Sequence, residues 1–178
     1  MSKNIDLIVL DMDGVLVDQC HGIRQTLGLP KDWVPRKYDF FDEVGTSPDQ
    51  FWAMVECDPT WWLRLPPMSW FEELWKLCER TAPIIVATKP VIDPACAEQK
   101  IRWLYKHVGY GFRDFVVSPR KTELSGPKRL LIDDCDNVVA DWIKKGGQAI
   151  TMPRPYNQKR DLVGMELEYV MKKLEILR

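Results

Sequence analysis

Ile5-Asp6-Leu7-Ile8-Val9-Leu10-Asp11-Met12-Asp13-Gly14 is the stretch that decides how the rest of the 178-residue chain is read. From Ile5 to Leu10 it is nearly all apolar, as expected of a strand buried on both faces of a parallel sheet; a strand with one wet face would alternate. The run then stops at two aspartates and a glycine. Side chains alternate along a strand, so Asp11 and Asp13 fall on one side of the chain, beyond the apolar run, and Gly14 lets the backbone turn sharply after them. Three similar runs follow: Ile84-Ile85-Val86-Ala87, Phe115-Val116-Val117 and Leu130-Leu131-Ile132, with a fifth, weaker one from Gln148 to Met152.

Helical patterns separate these runs. Asp93-Pro94 pairs a cap residue with proline at a first helical position, and Ala97, Ile101, Leu104 and Val108 follow at helical spacing. Val138, Val139, Trp142 and Ile143 form another apolar stripe, which stops at Gly146-Gly147. Val163, Leu167, Val170, Leu174 and Leu177 predict a closing C-terminal helix. Alternating strands and helices predict an α/β fold, a three-layer, Rossmann-like arrangement around a central parallel sheet, with its ligand site beyond the carboxyl ends of the strands. The segment after the first strand differs. It shows no strong strand run and holds six of the eight tryptophans, which predicts a small helical cap over residues 19–78 inserted into a core made of residues 1–18 and 79–178.

Composition narrows the function classes. Twenty-five basic and 26 acidic residues nearly cancel, so no net field marks a binder of nucleic-acid polymers or membrane surfaces, and a small-molecule partner is expected. Five cysteines without a C-x-x-C pair fit neither a disulfide framework nor a zinc site, which predicts a reducing, cytoplasmic setting. No apolar stretch is long enough to span a bilayer. A monomer and a homodimer are both compatible with the sequence.

The acids at the strand ends carry the chemistry. Phosphoryl transfer needs an oxygen nucleophile in line with phosphorus and a cation to neutralise the phosphate charge. Asp11 can serve as nucleophile and metal ligand, and Asp13 as the acid that protonates the leaving alkoxide and then the base that activates water. Paired aspartates at a strand end can also merely cap a turn. An EF-hand loop fits less well, because Gly14 comes three residues after Asp11 instead of five. The fourth run, however, leads straight into Asp133-Asp134. Four carboxylates converging on one sheet edge would repel one another, and Mg2+, which prefers oxygen ligands, relieves that cost. Asp11, Asp13, Asp133 and Asp134 are therefore the expected ligands, with the direct ligand of the Asp133/Asp134 pair left open. Thr88 and the adjacent Lys89 offer a hydroxyl, amides and a positive charge to a phosphate. Lys121, shortly after the third strand, is favoured over Lys128 as the lysine that balances the charge of nucleophile and phosphate.

In this order, D-M-D-G at Asp11, Thr88, Lys121 and D-D at Asp133 resemble the four motifs of the haloacid dehalogenase (HAD) superfamily, across most of the chain. An acid at Asp13 is similar to its phosphatase branch. Lys100-Ile101-Arg102-Trp103-Leu104, Phe115-Val116-Val117, Lys121-Thr122 and Leu130 to Asp134 further resemble the 5'(3')-deoxyribonucleotidases. That resemblance implies a Mg2+-dependent phosphomonoesterase acting on a nucleoside monophosphate through an aspartyl-phosphate. It also implies a base stacked on cap aromatics, for which Phe41, Trp61 and Trp62 are the candidates, with Phe40 and Trp52 beside them. Two positions depart from the pattern: Gln19 stands where the mammalian enzymes carry a base-pocket phenylalanine, and Lys89 where that group usually has serine. Two other readings are a phosphatase for another small phosphorylated metabolite and a phosphate-accepting regulatory module. Motif order opposes the module, since in response-regulator receivers the acidic pair precedes the accepting aspartate.

Overall fold

The computed structural model describes residues 5–177. Five strands form one all-parallel sheet in the order β3-β2-β1-β4-β5: β1 (Leu7–Leu10), β2 (Ile84–Thr88), β3 (Phe115–Val117), β4 (Arg129–Asp133) and β5 (Gln148–Thr151). Every apolar run of the sequence has become a strand, and β1 lies at the centre. Its register sets Leu10 beside Val86 on one side and Ile132 on the other, so β1, β2 and β4 end level.

Both faces of the sheet are covered, and the two-residue period sorts the side chains between them. Ile8, Leu10, Val86, Leu130, Ile132 and Ile150 belong to the larger core, which also takes in residues of α1 (Gln19–Leu27), α5 (Pro94–His107) and α7 (Glu166–Leu177). Val9, Ala87 and Leu131 face the other way, against Trp142 of α6 (Asp136–Lys144). An all-apolar strand at the centre of a parallel sheet is thereby explained: neither face meets water.

Helix boundaries follow local chemistry. Asp93 caps α5 by accepting from the Ala95 N–H at 2.9 Å, with Pro94 at the first helical position. The buried side of α5 is rotated from the expected stripe: Cys96, Gln99, Lys100, Trp103 and Leu104 face inward, and Ala97, Ile101 and Val108 are only half-buried. In α6, Val139 and Trp142 are buried as expected, whereas Ile143 is exposed. Val163 lies outside the last helix, exposed in the turn before it.

Between β1 and β2 the chain is helical, with α1 followed by α2 (Pro48–Glu56), the single turn α3 (Trp61–Arg64) and α4 (Phe71–Glu79). Ser47 and Gln50 close a capping box at the start of α2. The segment leaves and returns at adjacent points, where Met68 N donates to Leu16 O and Asp18 N to Pro66 O, both at 2.9 Å. It is anchored to α5 by the buried side chains of Gln99, whose Oε1 accepts from Trp62 N at 3.0 Å, and Trp103, whose Nε1 donates to Leu65 O at 2.8 Å. Among the described residues no helix is long and apolar enough to cross a membrane.

Candidate active site

The backbone ladder continues past the apolar runs. Asp11 N donates to Ile132 O and Met152 N to Asp133 O, each at 2.9 Å, so the acids that follow Leu10 and Ile132 emerge side by side. Asp11, Asp133 and Asp134 are all buried, and each offers a carboxylate oxygen within 4.8 Å of the others. At that separation two unit charges repel by about 3 kcal/mol at an effective dielectric constant of about 20. The acids respond accordingly. Burial, then the nearby Asp11 charge, pushes Asp133 from 3.8 up to about 6. Burial, Asp11 and Asp133 together push Asp134 well above the ordinary carboxylate value. Gly14, at φ +78°, lets the chain turn beneath this group, and a Cβ there would lie 2.0 Å from Asp134 Oδ2.

Two buried lysines enter the cluster. Lys121, in the 3-10 turn after β3, pairs with Asp11 and, at 2.7 Å, with Asp133. Burial alone would lower its pKa, but the two acids carry it above the ordinary lysine value. Lys128 sits at the opposite end of the sheet, where it faces Asp6 at 3.7 Å ahead of β1. The second lysine is Lys100 of α5, fully buried, which pairs with Asp13 and donates to Thr88 Oγ1 at 2.9 Å and to Lys89 O at 3.0 Å. Asp13, expected among the metal ligands, is therefore turned toward Lys100 and stands apart from the three-carboxylate group. Burial raises its pKa and the Lys100 charge opposes that rise without cancelling it.

The donor set suits a hard divalent cation. Four carboxylates and two lysines leave two formal negative charges, and the grouped donors Asp11, Asp133 and Asp134 are all buried carboxylates, which suits Mg2+ better than zinc or copper.

Above the strand ends lies a cavity of about 770 Å³, within the range of small-molecule sites. Asp11, Asp13, Lys121 and Asp133 form its floor, together with the loop Lys89–Ile92. The helical segment supplies the opposite wall: Gln19, Tyr38, Phe40, Phe41, Trp52 and Trp62. Phe41 and Trp62 thus line the cavity. Trp61 does not: it is buried in the helical segment, donating from Nε1 to Thr26 Oγ1 at 2.8 Å. The reason is helical geometry, since neighbours in the single turn α3 point about 100° apart and only one of them can face the cavity. Trp62 stacks on Trp52 at 5.9 Å between centroids and receives the Lys100 ammonium on its ring at 4.4 Å.

Sequence reasoning gave no role to Lys100, Tyr38 or Tyr156. For Lys100 a signal was present: with Cys96, Trp103 and Leu104 it lies at positions i, i+4, i+7 and i+8, a lysine inside an apolar helical face. Tyr156 is reached only through the loop after β5, where no periodicity guides the reading.

Comparison with known proteins agrees with this geometry. No curated protein sequence matches the chain. In overall shape it is similar to a haloacid dehalogenase-like hydrolase of Streptococcus pneumoniae (TM-score 0.58, 16% identity, 90% of each chain covered). It is also similar to a HAD family hydrolase of Deinococcus radiodurans with bound phosphate and sodium (TM-score 0.53, 14% identity, 95% of this chain and 98% of that one). A third is a HAD-type hydrolase of Bacillus subtilis bound to magnesium (TM-score 0.60, 12% identity, 97% and 99% covered). At these identities the likeness is one of fold. The sequence model of the family described as "5' nucleotidase, deoxy (Pyrimidine), cytosolic type C protein" matches residues 4–163, nearly the whole chain. The chain belongs to that family, and so to the phosphatase branch of the HAD superfamily.

Proposed function

We propose that the protein is a Mg2+-dependent phosphomonoesterase that hydrolyses nucleoside monophosphates, deoxyribonucleotides in particular, through phosphorylation of Asp11. The observation that carries this reading is the convergence of three buried carboxylates, Asp11 just after β1 with Asp133 and Asp134 at the end of β4, beside a cavity lined by Asp11, Asp13 and Asp133. Bound at Asp11, Asp133 and Asp134, Mg2+ supplies charge neutralisation for the phosphate oxygens.

The chain's own residues do the rest. The Asp11 carboxylate attacks phosphorus as the ester P–O bond breaks, and Asp13 gives its proton to the departing alkoxide. Asp13 then takes a proton from water, which attacks the aspartyl-phosphate and releases inorganic phosphate. A half-buried carboxyl with a raised pKa suits the first half of this cycle, and the Lys100 ammonium, favouring the carboxylate, suits the second. Lys121 offsets the charge gathering between nucleophile and phosphate. The Thr88 hydroxyl and Lys89 face the phosphate, and the base lies against Phe41, Trp52 and Trp62. Residues 19–78 form the cap in this scheme, with α1 to α3 over the strand ends; the proposed setting is the cytoplasm.

The reading is tested by initial rates with Mg2+ on ribo- and deoxyribonucleoside 5'- and 3'-monophosphates beside sugar phosphates. Nucleotides should lead; a sugar phosphate ahead of all of them would move the substrate elsewhere while leaving the chemistry. Asp11→Asn should leave less than about 1% of the rate in a folded protein, and a retained rate would remove Asp11 from the nucleophile role.

A further inference from the structure

Asp134 is held by a segment that takes no part in the steps above, the loop from Met152 to Lys159 after β5. Asn157 is the knot of that loop. Its Nδ2 donates to Asp134 O at 2.8 Å and to Met152 O at 2.7 Å, and its Oδ1 accepts from Arg154 N at 3.2 Å and Lys159 N at 3.0 Å. One residue further, Gln158 N donates to Asp136 Oδ2 at 3.0 Å, tying the loop to the start of α6. The side chain between these anchors is Tyr156, whose hydroxyl donates to Asp134 Oδ2.

Tyr156 is itself confined. Its ring meets Tyr38 edge-on, with centroids 5.9 Å apart, and its hydroxyl lies 2.7 Å from where a Cβ on Gly14 would stand. Arg154, buried with its guanidinium 5.4 Å from the centre of the Trp70 ring, closes the same side. Trp70 in turn donates from Nε1 to Val15 O at 2.9 Å, next to the β1 turn. The hydroxyl thus has one position, and one Asp134 oxygen is committed to it. A free aspartate would sample several rotamers, and beside Asp11 and Asp133 charge repulsion would favour those pointing away.

We propose that Tyr156 is a positioning residue of the metal site: its hydroxyl fixes the Asp134 carboxylate so that its other oxygen faces Asp11 and Asp133, and it thereby sets the affinity for Mg2+. This inference rests on the Mg2+ reading given above. Outer hydrogen-bond partners of metal ligands typically change metal affinity by about 10- to 100-fold. Calorimetric titration of MgCl2 into the metal-free protein, with no substrate present, provides the test. Tyr156→Phe and Tyr156→Leu both lose the hydroxyl, and only the first keeps the ring against Tyr38. Both should bind Mg2+ at least about 10-fold more weakly than wild type, with the metal-free melting temperature of Tyr156→Phe close to that of wild type.

The outcomes separate cleanly. A wild-type chain that binds no Mg2+ overturns the magnesium reading itself. Wild-type binding with Tyr156→Phe within twofold of it overturns the role of the hydroxyl alone, and if Tyr156→Leu is weak in that case, ring packing is what matters. A Tyr156→Phe chain that fails to fold without metal also defeats the proposal, because the hydroxyl would then be needed for the fold.

Discussion

The floor of the cavity and its helical wall are built on opposite principles. On the floor and just beneath it, six ionisable side chains are buried or nearly so: Lys100 pairs with Asp13, Lys121 with Asp11 and Asp133, and Asp134 accepts from Tyr156. In the wall, aromatic rings hold one another by area and edge contacts, from Phe40 and Phe41 through Phe51 to Trp52, Trp61 and Trp62. Charges in a low-dielectric site have steep distance and partner requirements, so each floor residue has one workable identity. Packed rings share their contribution among many contacts, and the loss of one is felt in degrees. Single substitutions on the floor should therefore act on chemistry by orders of magnitude, while those in the wall should divide between stability and substrate binding according to which way the ring points.

Lys100→Met should give the largest effect of that contrast. It deletes a buried cation without much change of volume and leaves Asp13 with no partner of opposite charge in contact. The expected loss in kcat is on the order of 100-fold, the scale of an acid–base contribution. A merely structural lysine would lower stability alone. Because the Lys100 charge opposes the rise of the Asp13 pKa, its removal should also move the pH optimum upward, so a profile shape unchanged from wild type would separate Lys100 from the acid–base step.

A smaller effect on turnover should tell the two kinds of wall residue apart. Trp61→Ala empties a fully buried site and breaks the hydrogen bond to Thr26; the cost should be about 3–5 kcal/mol of stability, with the KM of the folded fraction little changed. Trp52→Ala removes a partly exposed ring from the cavity wall and should lower kcat/KM by roughly 10- to 100-fold, the worth of one base-stacking contact, at a smaller cost in stability. Chemical denaturation together with steady-state kinetics on both variants decides the matter: the same pattern in both would mean that the wall does not distinguish lining from packing.

The same contrast explains what was legible in the sequence. The sheet and its acids were readable because each signal is local: an apolar run gives the strand, and an acid just past it must emerge at the strand end. That the ends lie level was the only assumption, and parallel pairing of β1 with β2 and β4 supplies it. The wall was less legible. In Trp61-Trp62 nothing in the residue type says which ring faces the cavity, since that depends on how α3 meets α5, through Gln99 and Trp103. The α5 stripe was misplaced for a related reason. Gln99 and Lys100 lie off the expected stripe, yet both are buried because each finds partners that only the folded chain brings together, the Trp62 amide for one and Asp13, Thr88 and the Lys89 carbonyl for the other. Asp13 was grouped with the other strand-end acids because two strands deliver them to one edge, and its pairing with Lys100, which arrives from a distant helix, was not legible there.

The mildest of these effects concerns the floor with its metal stripped. Asp133 has a folded-state pKa of about 6 against an ordinary 3.8. Between those values the folded state binds the proton more tightly than the unfolded state does, so stability must fall as pH rises through this window. Metal-free protein should accordingly be more stable near pH 5 than near pH 7, by about 1 kcal/mol from Asp133 alone, with the raised Asp13 and Asp134 acting in the same direction. Partly exposed acids such as Asp58 and Asp141, whose pKa values are lowered, lose stability on acidification, but only below their ordinary range. Mg2+ should reverse the slope, since a protonated carboxyl is a poor ligand and protons then compete with the cation. Denaturant unfolding in EDTA and in excess MgCl2 from pH 4.5 to 7.5 would show two curves of opposite trend. If the EDTA curve instead rises steadily toward pH 7, the carboxylates of β1 and β4 do not share a buried site, and the contrast between a charged floor and an aromatic wall fails with them.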